Sequence, residues 1–379
     1  MPSYLSTEAL TSALDLRDRT DPGQGVHAMQ QLLGDVVDAL TQSWTLPARW
    51  FRTSPLVAVE DNYDRLGYDP GAVTREARYT RYVSPGVMLR SHTTAALPGL
   101  LDQMHPNAVS DELNVVPGLV YRRDTIDRTH VGEPHQVDLW RLTSTARLGP
   151  DDLTEMLAIL VEAVLPGAAW RAVPAVHPYT VTGRQLDVCI DGDWLELAEC
   201  GLVAPRLLAS CGLDPDRWSG LALGMGLDRA VMLRKGIDDI RTLRATEPRI
   251  QAQMADLSQW RPVSTLPPVR RDISIVIDAD HDDETIGDMV RASLTERIDD
   301  IETVTVVART PHEALPVAAR DRLGTRTGQV NALVRIVIRP LSRTLTDEEA
   351  NHLRDQIYLA VHEGPNLELI TPARPSETD

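Results

Sequence analysis

The chain has 379 residues, which is enough for two or three domains of about 100–200 residues each. Its formal net charge of −17 argues against long, non-specific contact with nucleic acid, but it does not exclude a local basic patch. Three cysteines without a Cys-x-x-Cys pair disfavour a zinc site and a disulfide framework, and no apolar run approaches the roughly 20 residues of a membrane span. These properties predict a cytoplasmic protein without a membrane partner.

The N-terminal part, residues 1–85, is predicted to consist of helices and loops. Apolar side chains recur at helical spacing over residues 26–43, with Met29, Val36 and Leu40 on one stripe. The stretch from 55 to 85 contains Tyr, Pro and many polar residues, which indicates loops. A helical region of this kind could support a dimer, so monomer and homodimer both stay open.

The central part, residues 86–260, has the pattern of an α/β region. The predicted elements are, in chain order, strands at 117–124 and 136–142, a helix at 151–165, strands at 186–190 and 194–198 joined by an Asp-Gly-Asp turn, and a strand, glycine-rich turn and helix within 220–234. Gly236 stands where a helix C-cap is expected.

A Pro-rich linker at 261–268 marks a boundary, and the C-terminal part follows it. The predicted elements there are a strand at 273–277, a helix at 283–297, strands at 301–308 and 330–338, a helix at 347–362 and a short strand at 367–370. This βαββαβ order is the ferredoxin-like arrangement, which predicts one domain over 269–372 and a disordered tail at 373–379. The expected fold class is therefore α+β.

The segment GLALGMGLDR at 220–229 is the first candidate for chemistry. Gly224 and Gly226 would let the backbone approach a flat ligand closely. Arg229 follows at the start of a helix, where its charge and the helix end both favour an anion. In isolation, a glycine turn chosen for packing is the commoner explanation.

Two further segments contain charged residues within predicted strands. In VYRRD at 120–124, Arg122 could hold an α-phosphate while a neighbouring carboxylate orients the ligand, although a surface strand with weak Arg–Asp pairs is the alternative. Glu196 lies in the apolar run 194–197 and needs a partner, which is either magnesium bridging ATP phosphates or, more commonly, a salt bridge.

The combination and order of these segments resemble the signature set of class II aminoacyl-tRNA synthetases. The segments that are similar to phenylalanyl-tRNA synthetases, in that family's order and spacing, are LRSHTT (89–94), VYRRDTIDRTH (120–130), HQVD (135–138), DWLELAECG (193–201) and GLALGMGLDRAVMLRKGIDDIR (220–241). The C-terminal part, with PPVRRDISIVI at 267–277, resembles that family's ferredoxin-fold anticodon-binding domain. Both parts on one chain resemble the single-chain organellar form.

The resemblance implies a class II catalytic domain over 86–260, with an antiparallel sheet flanked by helices. It implies ATP-dependent activation of phenylalanine or a related amino acid and transfer to tRNA. The expected ATP contacts are Arg122 at the α-phosphate, Asp124 in the acidic place of the same segment, Glu196 at ATP and its Mg²⁺, Gly226 under the adenine and Arg229 at the terminal phosphates. Of these, Arg122, Glu196 and Arg229 are the expected catalytic residues.

The resemblance also implies the residues that surround the amino acid and the tRNA. The amino-acid set is His92, Thr94, Gln136 and Asp138 at the ammonium and carboxylate, with His177, Tyr179, Glu199 and Ala222 at the side chain. In the C-terminal domain, the expected tRNA contacts are Arg335, Arg339 and Arg343, of which the first two are predicted to share a strand face. A solvated sheet edge is the alternative there.

The side-chain pocket departs from the family's pattern. The usual Phe-Pro-Phe is His177-Pro178-Tyr179, a usual Gly is Glu199, and the Glu that usually follows His-Gln is Asp138. In one interpretation Glu199 pairs with Arg184 or His177 and the substrate is still phenylalanine. In the other, His177 and Glu199 contact a more polar side chain of a different amino acid. A site built to hydrogen-bond discriminates strongly against analogues that lack the hydrogen-bonding group.

Three functional hypotheses follow from these patterns. The first is an aminoacyl-tRNA ligase of the phenylalanine type, and the second is a paralogue that activates a non-standard, more polar amino acid for specialised metabolism. The third is a non-catalytic tRNA-binding regulator, which the presence together of Arg122, Glu196 and Arg229 argues against.

Overall fold

The computed structural model describes residues 4–76, 79–263 and 266–367. The chain folds into two compact units. The N-terminal unit consists of Met1–Arg122, Glu133–Leu243 and Gln251–Trp260, and the C-terminal unit consists of Arg123–Gly132, Arg244–Ile250 and Arg261–Asp379. Residues 4–85 thus group with the central region rather than as a unit of their own.

The α-helices and β-strands, in chain order, have the following bounds. The helices are α1 (Thr7–Leu14), α2 (Ala28–Trp44), α3 (Leu97–Leu101), α4 (Pro150–Val164), α5 (Pro205–Ser210), α6 (Leu227–Lys235), α7 (Pro248–Gln253), α8 (Asp283–Leu294), α9 (Val317–Leu323) and α10 (Asp347–Val361). The strands are β1 (Ala48–Trp50), β2 (Leu56–Ala58), β3 (Tyr82–Ser84), β4 (Val87–Leu89), β5 (Asp111–Leu119), β6 (His135–Thr143), β7 (Trp170–Pro174), β8 (Thr180–Ile190), β9 (Asp193–Val203), β10 (Ser219–Gly226), β11 (Val269–Asp278), β12 (Ile301–Pro311) and β13 (Gln329–Ile338).

A seven-stranded sheet forms the centre of the N-terminal unit. Its strand order is β1-β5-β6-β10-β9-β8-β7, and every neighbouring pair is antiparallel except β1 with β5. The hairpin between β8 and β9 turns at Asp191 and Gly192, whose φ angles of 52° and 95° suit a two-residue turn of the kind that Asp-Gly favours. The large antiparallel sheet expected of a class II synthetase is confirmed.

Helices α2 and α4 cover part of this sheet. The predicted apolar stripe of α2 is buried, and α2 packs against α4, which in turn contacts β8 and β9. His27 caps the N-terminus of helix α2, because its Nδ1 accepts a hydrogen bond from the backbone N–H of Met29 at 3.2 Å. Helix α6 ends at Gly236, which has a φ of 70°, as the sequence predicts. Among the described residues, none of the helices has the length and apolar character needed to cross a membrane.

The C-terminal unit contains a three-stranded antiparallel sheet with the order β11-β13-β12. Apolar residues of α8 and α10 and of these strands form one buried cluster. The described elements therefore follow the first five of the predicted βαββαβ order, with α9 inserted between β12 and β13. Apart from Leu367, the predicted last strand lies outside the described residues, as does the tail at 373–379, so the ferredoxin-like domain stays a prediction.

Several predicted boundaries were wrong. The strand predicted at 117–124 is β5, which ends at Leu119 because its pairing with β6 ends at His135. Beyond that point the backbone N–H of Tyr121 donates to the carbonyl of Arg90, so Arg122 lies in an extended segment outside the sheet. The predicted loop stretch at 55–85 contains strands β2 and β3, which pair with β4 in a small sheet, and the helix predicted at 283–297 ends at Leu294.

Candidate active site

Small residues of β10 form the middle of one sheet face. Ala222, Gly224 and Gly226 alternate along the strand and so point to the same side. The neighbouring strand β6 carries larger side chains beside them in register, namely Trp140 beside Ala222, Asp138 beside Gly224 and Gln136 beside Gly226. This side of the sheet is called the site face below.

The glycines of this sheet differ in what surrounds them. A Cβ at Gly201 would lie 2.7 Å from the Cβ of Thr180, so packing requires glycine there. A Cβ at Gly226 would meet no atom within 4 Å. Packing therefore does not explain Gly226, and the open, flat backbone beside it is suited to a planar ligand such as a purine.

A β-bulge in β9 brings two glutamates to the site face. Glu196 and Glu199 are three residues apart, so a regular strand would point them to opposite sides. Leu197 is an extra residue in β9, because Glu199 pairs with Gln185 whereas Glu196 pairs with Asp187. Glu199 also lies beside Gly224 of β10. Both carboxylates therefore belong to the site face.

Arg122 and Arg229 keep their charge available to a ligand. The Nε of exposed Arg122 donates to the carbonyl of Ser91 at 2.7 Å, and its Nη2 donates to Oε1 of Gln136 at 3.4 Å. The Nη1 of Arg229 donates to the backbone carbonyl of Glu196 at 3.2 Å. Within the described part of the chain, neither guanidinium forms an ion pair with a carboxylate. Both are therefore suited to bind an anion.

Glu196 offers a carboxylate close to these arginines. Burial and the charge of Glu199 raise its pKa, and the guanidiniums of Arg229 and Arg122 oppose the rise. An anionic oxygen beside cations that suit phosphates is the kind of ligand that Mg²⁺ prefers. The donor set therefore fits Mg²⁺, as the sequence predicts for Glu196.

Asp138 lies on the site face and is buried, with internal donors around it. The hydroxyls of Thr93 and Thr94 donate to it at 2.6 and 3.0 Å, and the indole N–H of Trp140 donates at 3.0 Å. Burial raises the pKa of Asp138, whereas these three hydrogen bonds lower it. Because a carboxylate can accept about four hydrogen bonds, roughly one acceptor position is left for a substrate ammonium.

His92 is buried and directly precedes Thr93, whose hydroxyl donates to Asp138. Neither of its ring nitrogens has a hydrogen-bond partner among the described residues. Burial and the charge of Arg122 lower its pKa to about 3, although the backbone of Asn62 opposes the shift. The imidazole is therefore neutral at physiological pH and has an acceptor for an ammonium group. The ring of Tyr68 stacks on it at a centroid distance of 5.7 Å.

A row of aromatic rings borders the site. Tyr179 stacks on Trp140 and on His177, with 6.0 Å between centroids in each pair. Tyr68 contacts Tyr179 at 6.5 Å. The sequence interpretation missed Trp140 and Tyr68. Trp140 follows Asp138 at strand spacing and could have been found, but Tyr68 lies in a loop-rich stretch with no periodic pattern.

Glu199 is paired with His177 and not with Arg184. The Nε2 of His177 lies 3.3 Å from Oε1 of Glu199, without the alignment of a hydrogen bond. Arg184 pairs with Cys200 in the sheet, so it belongs to the opposite face from Glu199. The His177 imidazole lowers the pKa of Glu199, while burial raises it. Glu199 is thus ionised at neutral pH.

Asp124 is not among the residues that the N-terminal unit brings together. It belongs to the C-terminal unit, where its Oδ1 accepts from the backbone N–H of Thr125 at 2.9 Å. Its backbone carbonyl accepts from Arg291 of the same unit. The sequence placed Asp124 next to Arg122, but the chain passes from one unit to the other between Arg122 and Arg123.

The three predicted tRNA contacts each meet a carboxylate. Arg335 donates to both oxygens of its cross-strand neighbour Asp272 at 2.9 and 2.8 Å. The other two pairs are Arg339 with Glu302 at 3.3 Å and Arg343 with Glu349 at 2.9 Å. Arg339 lies one residue beyond the end of β13, which carries Arg335, so the shared strand face stays a prediction.

Comparisons with known proteins agree with this geometry. The family of tRNA synthetase class II core domains (F) matches residues 31–254. A chloroplastic/mitochondrial phenylalanine–tRNA ligase of Arabidopsis thaliana is 28% identical over 330 residues, which are 83% of this chain and 71% of the relative. The phenylalanine–tRNA ligase alpha subunit of Chlorobium chlorochromatii is 30% identical over 264 residues, which are 63% of this chain and 74% of the relative.

Other matches cover less of the relatives or are more distant. The alpha subunit from Prochlorococcus marinus is 34% identical over 192 residues, and the chain spans only 56% of its length. Among solved structures, a pyrrolysyl-tRNA synthetase from Desulfitobacterium hafniense has a TM-score of 0.46 at 17% identity, with 58% of this chain and 74% of that chain covered.

Proposed function

We propose that this chain, which belongs to the class II tRNA synthetase family and within it to the phenylalanine–tRNA ligases, uses ATP to activate an amino acid and then transfers it to tRNA. The observation that carries the proposal is the pair Arg122 and Arg229. Both lie at the site face beside the open backbone of Gly226, and neither is paired with a carboxylate among the described residues. Such an arrangement suits a triphosphate with a planar base.

The first step joins two anions, which defines what the site must supply. An oxygen of the amino-acid carboxylate attacks the α-phosphorus of ATP, the new C–O–P bond forms, and the bond to the leaving pyrophosphate breaks. Arg122 would offset the charge at the α-phosphate, and Arg229 would hold the leaving phosphates. No nucleophilic side chain is needed, because the rate comes from positioning and from charge stabilisation.

The amino acid would be held by groups already in place around Asp138. His92 would accept as a neutral imidazole, Thr94 donates to Asp138, and Gln136 lies two residues before Asp138 on the same face of β6. Glu196 would hold Mg²⁺, which when bound neutralises phosphate charge. In the second step the ribose hydroxyl of the tRNA end attacks the activated carbonyl, and AMP leaves.

Amino-acid-dependent pyrophosphate–ATP exchange tests the proposal. The full chain is assayed with each standard amino acid and with polar analogues of phenylalanine, and aminoacylation is then measured with total tRNA. Exchange with at least one amino acid is expected. If no amino acid supports exchange, the proposal is wrong, and tRNA binding without exchange would favour the regulator hypothesis.

Location and assembly stay predictions. Cys189, Cys200 and Cys211 are free, and burial raises the pKa of the Cys200 thiol to about 12, so it is unreactive at neutral pH. Free cysteines of this kind support the predicted reducing cytoplasm. Light scattering of the purified chain would distinguish the monomer from the homodimer.

A further inference from the structure

We propose that the amino acid taken by this site is aromatic and carries a hydrogen-bond donor on its ring, which Glu199 accepts. The inference rests on the proposed function, because it specifies the substrate of that same site. It is carried by three observations: a wall of aromatic rings, a floor of small residues and a half-exposed carboxylate with open acceptor positions.

The ring wall favours a flat side chain. In this wall Trp140 is fully buried and His177 nearly so, and Tyr179, inclined by 26° and 28° to them, is the half-buried ring that a ligand can reach. Parallel or offset stacking of a further ring on such a wall stabilises binding beyond the area that is buried. An aliphatic side chain of the same length would make fewer contacts with it.

The floor under this wall is formed by the smallest residues of the sheet. Ala222 lies between Trp140 of β6 and Gly201 of β9, and Gly224 lies between Asp138 and Glu199. The site face therefore has no bulky side chain at these positions of β10. Glu199 stands at the side of this floor, opposite the carboxylate of Asp138.

Glu199 is an acceptor that the protein itself does not fill. Its side chain is 47% exposed, and the described residues donate no well-aligned hydrogen bond to it. Nε2 of His177 lies 3.3 Å from Oε1 of Glu199, in a side chain that is only 8% exposed. A plain phenyl ring placed against Glu199 would remove water from this carboxylate without replacing the lost hydrogen bonds, which is costly.

The sign of the local charge restricts the missing group to a donor. Glu199 faces Asp138 across Gly224, so an anionic substituent placed against Glu199 would be repelled. A hydroxyl or amino substituent on the ring can donate to Glu199 and leave the stacking intact. The pair of Glu199 and His177 therefore recognises the substituent, while the ring wall recognises the ring.

The test compares ring substituents in pyrophosphate exchange with the full chain. The probes are phenylalanine, tyrosine, meta-hydroxyphenylalanine and para-aminophenylalanine, with para-methoxyphenylalanine as a ligand of similar shape that cannot donate. We expect kcat/KM for the best donor-bearing ring to exceed that for phenylalanine by at least about 100-fold, and the methoxy analogue to lose that advantage.

Variants of Glu199 then assign the effect to this residue. Glu199→Gln should lower the ratio of kcat/KM for the donor-bearing ring over phenylalanine by about tenfold or more, and Glu199→Asp should restore part of it. Glu162→Gln on the exposed side of α4 is the matched control and should leave the ratio unchanged. Circular dichroism checks that each variant is folded, and if Glu199→Gln is not, the methoxy comparison in the natural chain decides.

The outcomes separate this inference from the proposed function. Exchange that is as good with phenylalanine as with every donor-bearing ring overturns the inference and leaves the proposed function standing. Exchange with polar aliphatic amino acids alone also overturns it. Absence of exchange with any amino acid overturns the proposed function itself.

Discussion

The arginines of the two sheets differ in what they contact. At the site face of the N-terminal unit, Arg122 and Arg229 donate to carbonyl and amide oxygens, which are neutral. On the sheet of the C-terminal unit, Arg335 donates to both oxygens of Asp272. The first arrangement leaves a full positive charge for a ligand, whereas the second cancels it within the protein.

This difference shows why the number of arginines is a poor guide to anion binding. The chain has 38 basic residues and 55 acidic ones, so most guanidiniums have a carboxylate within reach unless the fold keeps one away. An arginine without such a partner is therefore the informative case. The predicted ATP contacts are therefore better supported than the predicted tRNA contacts, because Arg122 and Arg229 contact neutral oxygens whereas Arg335 contacts a carboxylate.

The largest effect is expected from removing the unpaired arginines. Arg122→Ala and Arg229→Ala should each lower kcat in pyrophosphate exchange by about 100- to 1,000-fold, which corresponds to about 2.7–4 kcal/mol of transition-state stabilisation. Arg49→Ala is the matched control, because Arg49 lies on edge strand β1 and is paired with Glu112 at 3.1 Å. An equal loss in all three variants would mean that general destabilisation, not charge, explains the effect.

A smaller effect is expected from the glutamate that shares the site face with these arginines. Glu196→Gln should raise the Mg²⁺ concentration needed for half-maximal exchange by about 10- to 100-fold, because it removes an anionic oxygen ligand. Titration of Mg²⁺ at saturating ATP measures the shift. An unchanged Mg²⁺ requirement would contradict a role for Glu196 in holding the ion.

The stability of the two units should respond differently to acid, because the N-terminal unit contains a buried histidine that resists protonation. Burial lowers the pKa of His27 in the N-terminal unit to about 4, so the folded state resists a proton that the unfolded state takes up near pH 6.5. Stability is thus fully present above pH 6.5 and falls as the pH drops towards 4, by up to about 1.4 kcal/mol per pH unit.

His27→Asn keeps a side chain that can cap α2 and removes this titration. Urea unfolding measures the free energy of unfolding at about pH 7 and pH 5. Between these two pH values, the variant should lose up to about 2 kcal/mol less than the natural chain loses. In the C-terminal unit, the ion pair with Arg335 lowers the pKa of exposed Asp272 from its usual value, so that pair is kept at both pH values. An equal acid response in His27→Asn and in the natural chain would contradict this assignment.

The smallest effect is expected from the paired arginines. Arg335→Ala should change the slope of log affinity for tRNA against log salt by much less than one, because its charge is already cancelled. Asp272→Asn frees that guanidinium and should increase the magnitude of the slope by up to about one. Filter binding at several salt concentrations measures both, and a full unit lost in Arg335→Ala would show that Arg335 contacts phosphate despite its pair.

Much of the N-terminal unit could be predicted from local patterns. The stripe that includes Met29 and Leu40 is the buried side of α2, and the turn at Asp191 and Gly192 joins β8 to β9 as expected. Site residues such as Gln136 and Asp138 lie on the same face because strand periodicity places them there. The end of β5 at Leu119 was not predictable, since it depends on where its partner strand begins.

The sequence by itself determined the order of the site segments, the helix and turn signals and the residue types that the chemistry needs, because all of these are local properties of the chain. The tertiary structure alone decided which charges are paired and which faces the side chains occupy. The extra residue Leu197 places Glu196 on the same side as Glu199. The pairing of strands sends Arg184 to the other side, and the loop between β7 and β8 brings His177 to Glu199. Period-two patterns cannot show such a bulge, because one inserted residue exchanges the two faces of a strand without changing its composition.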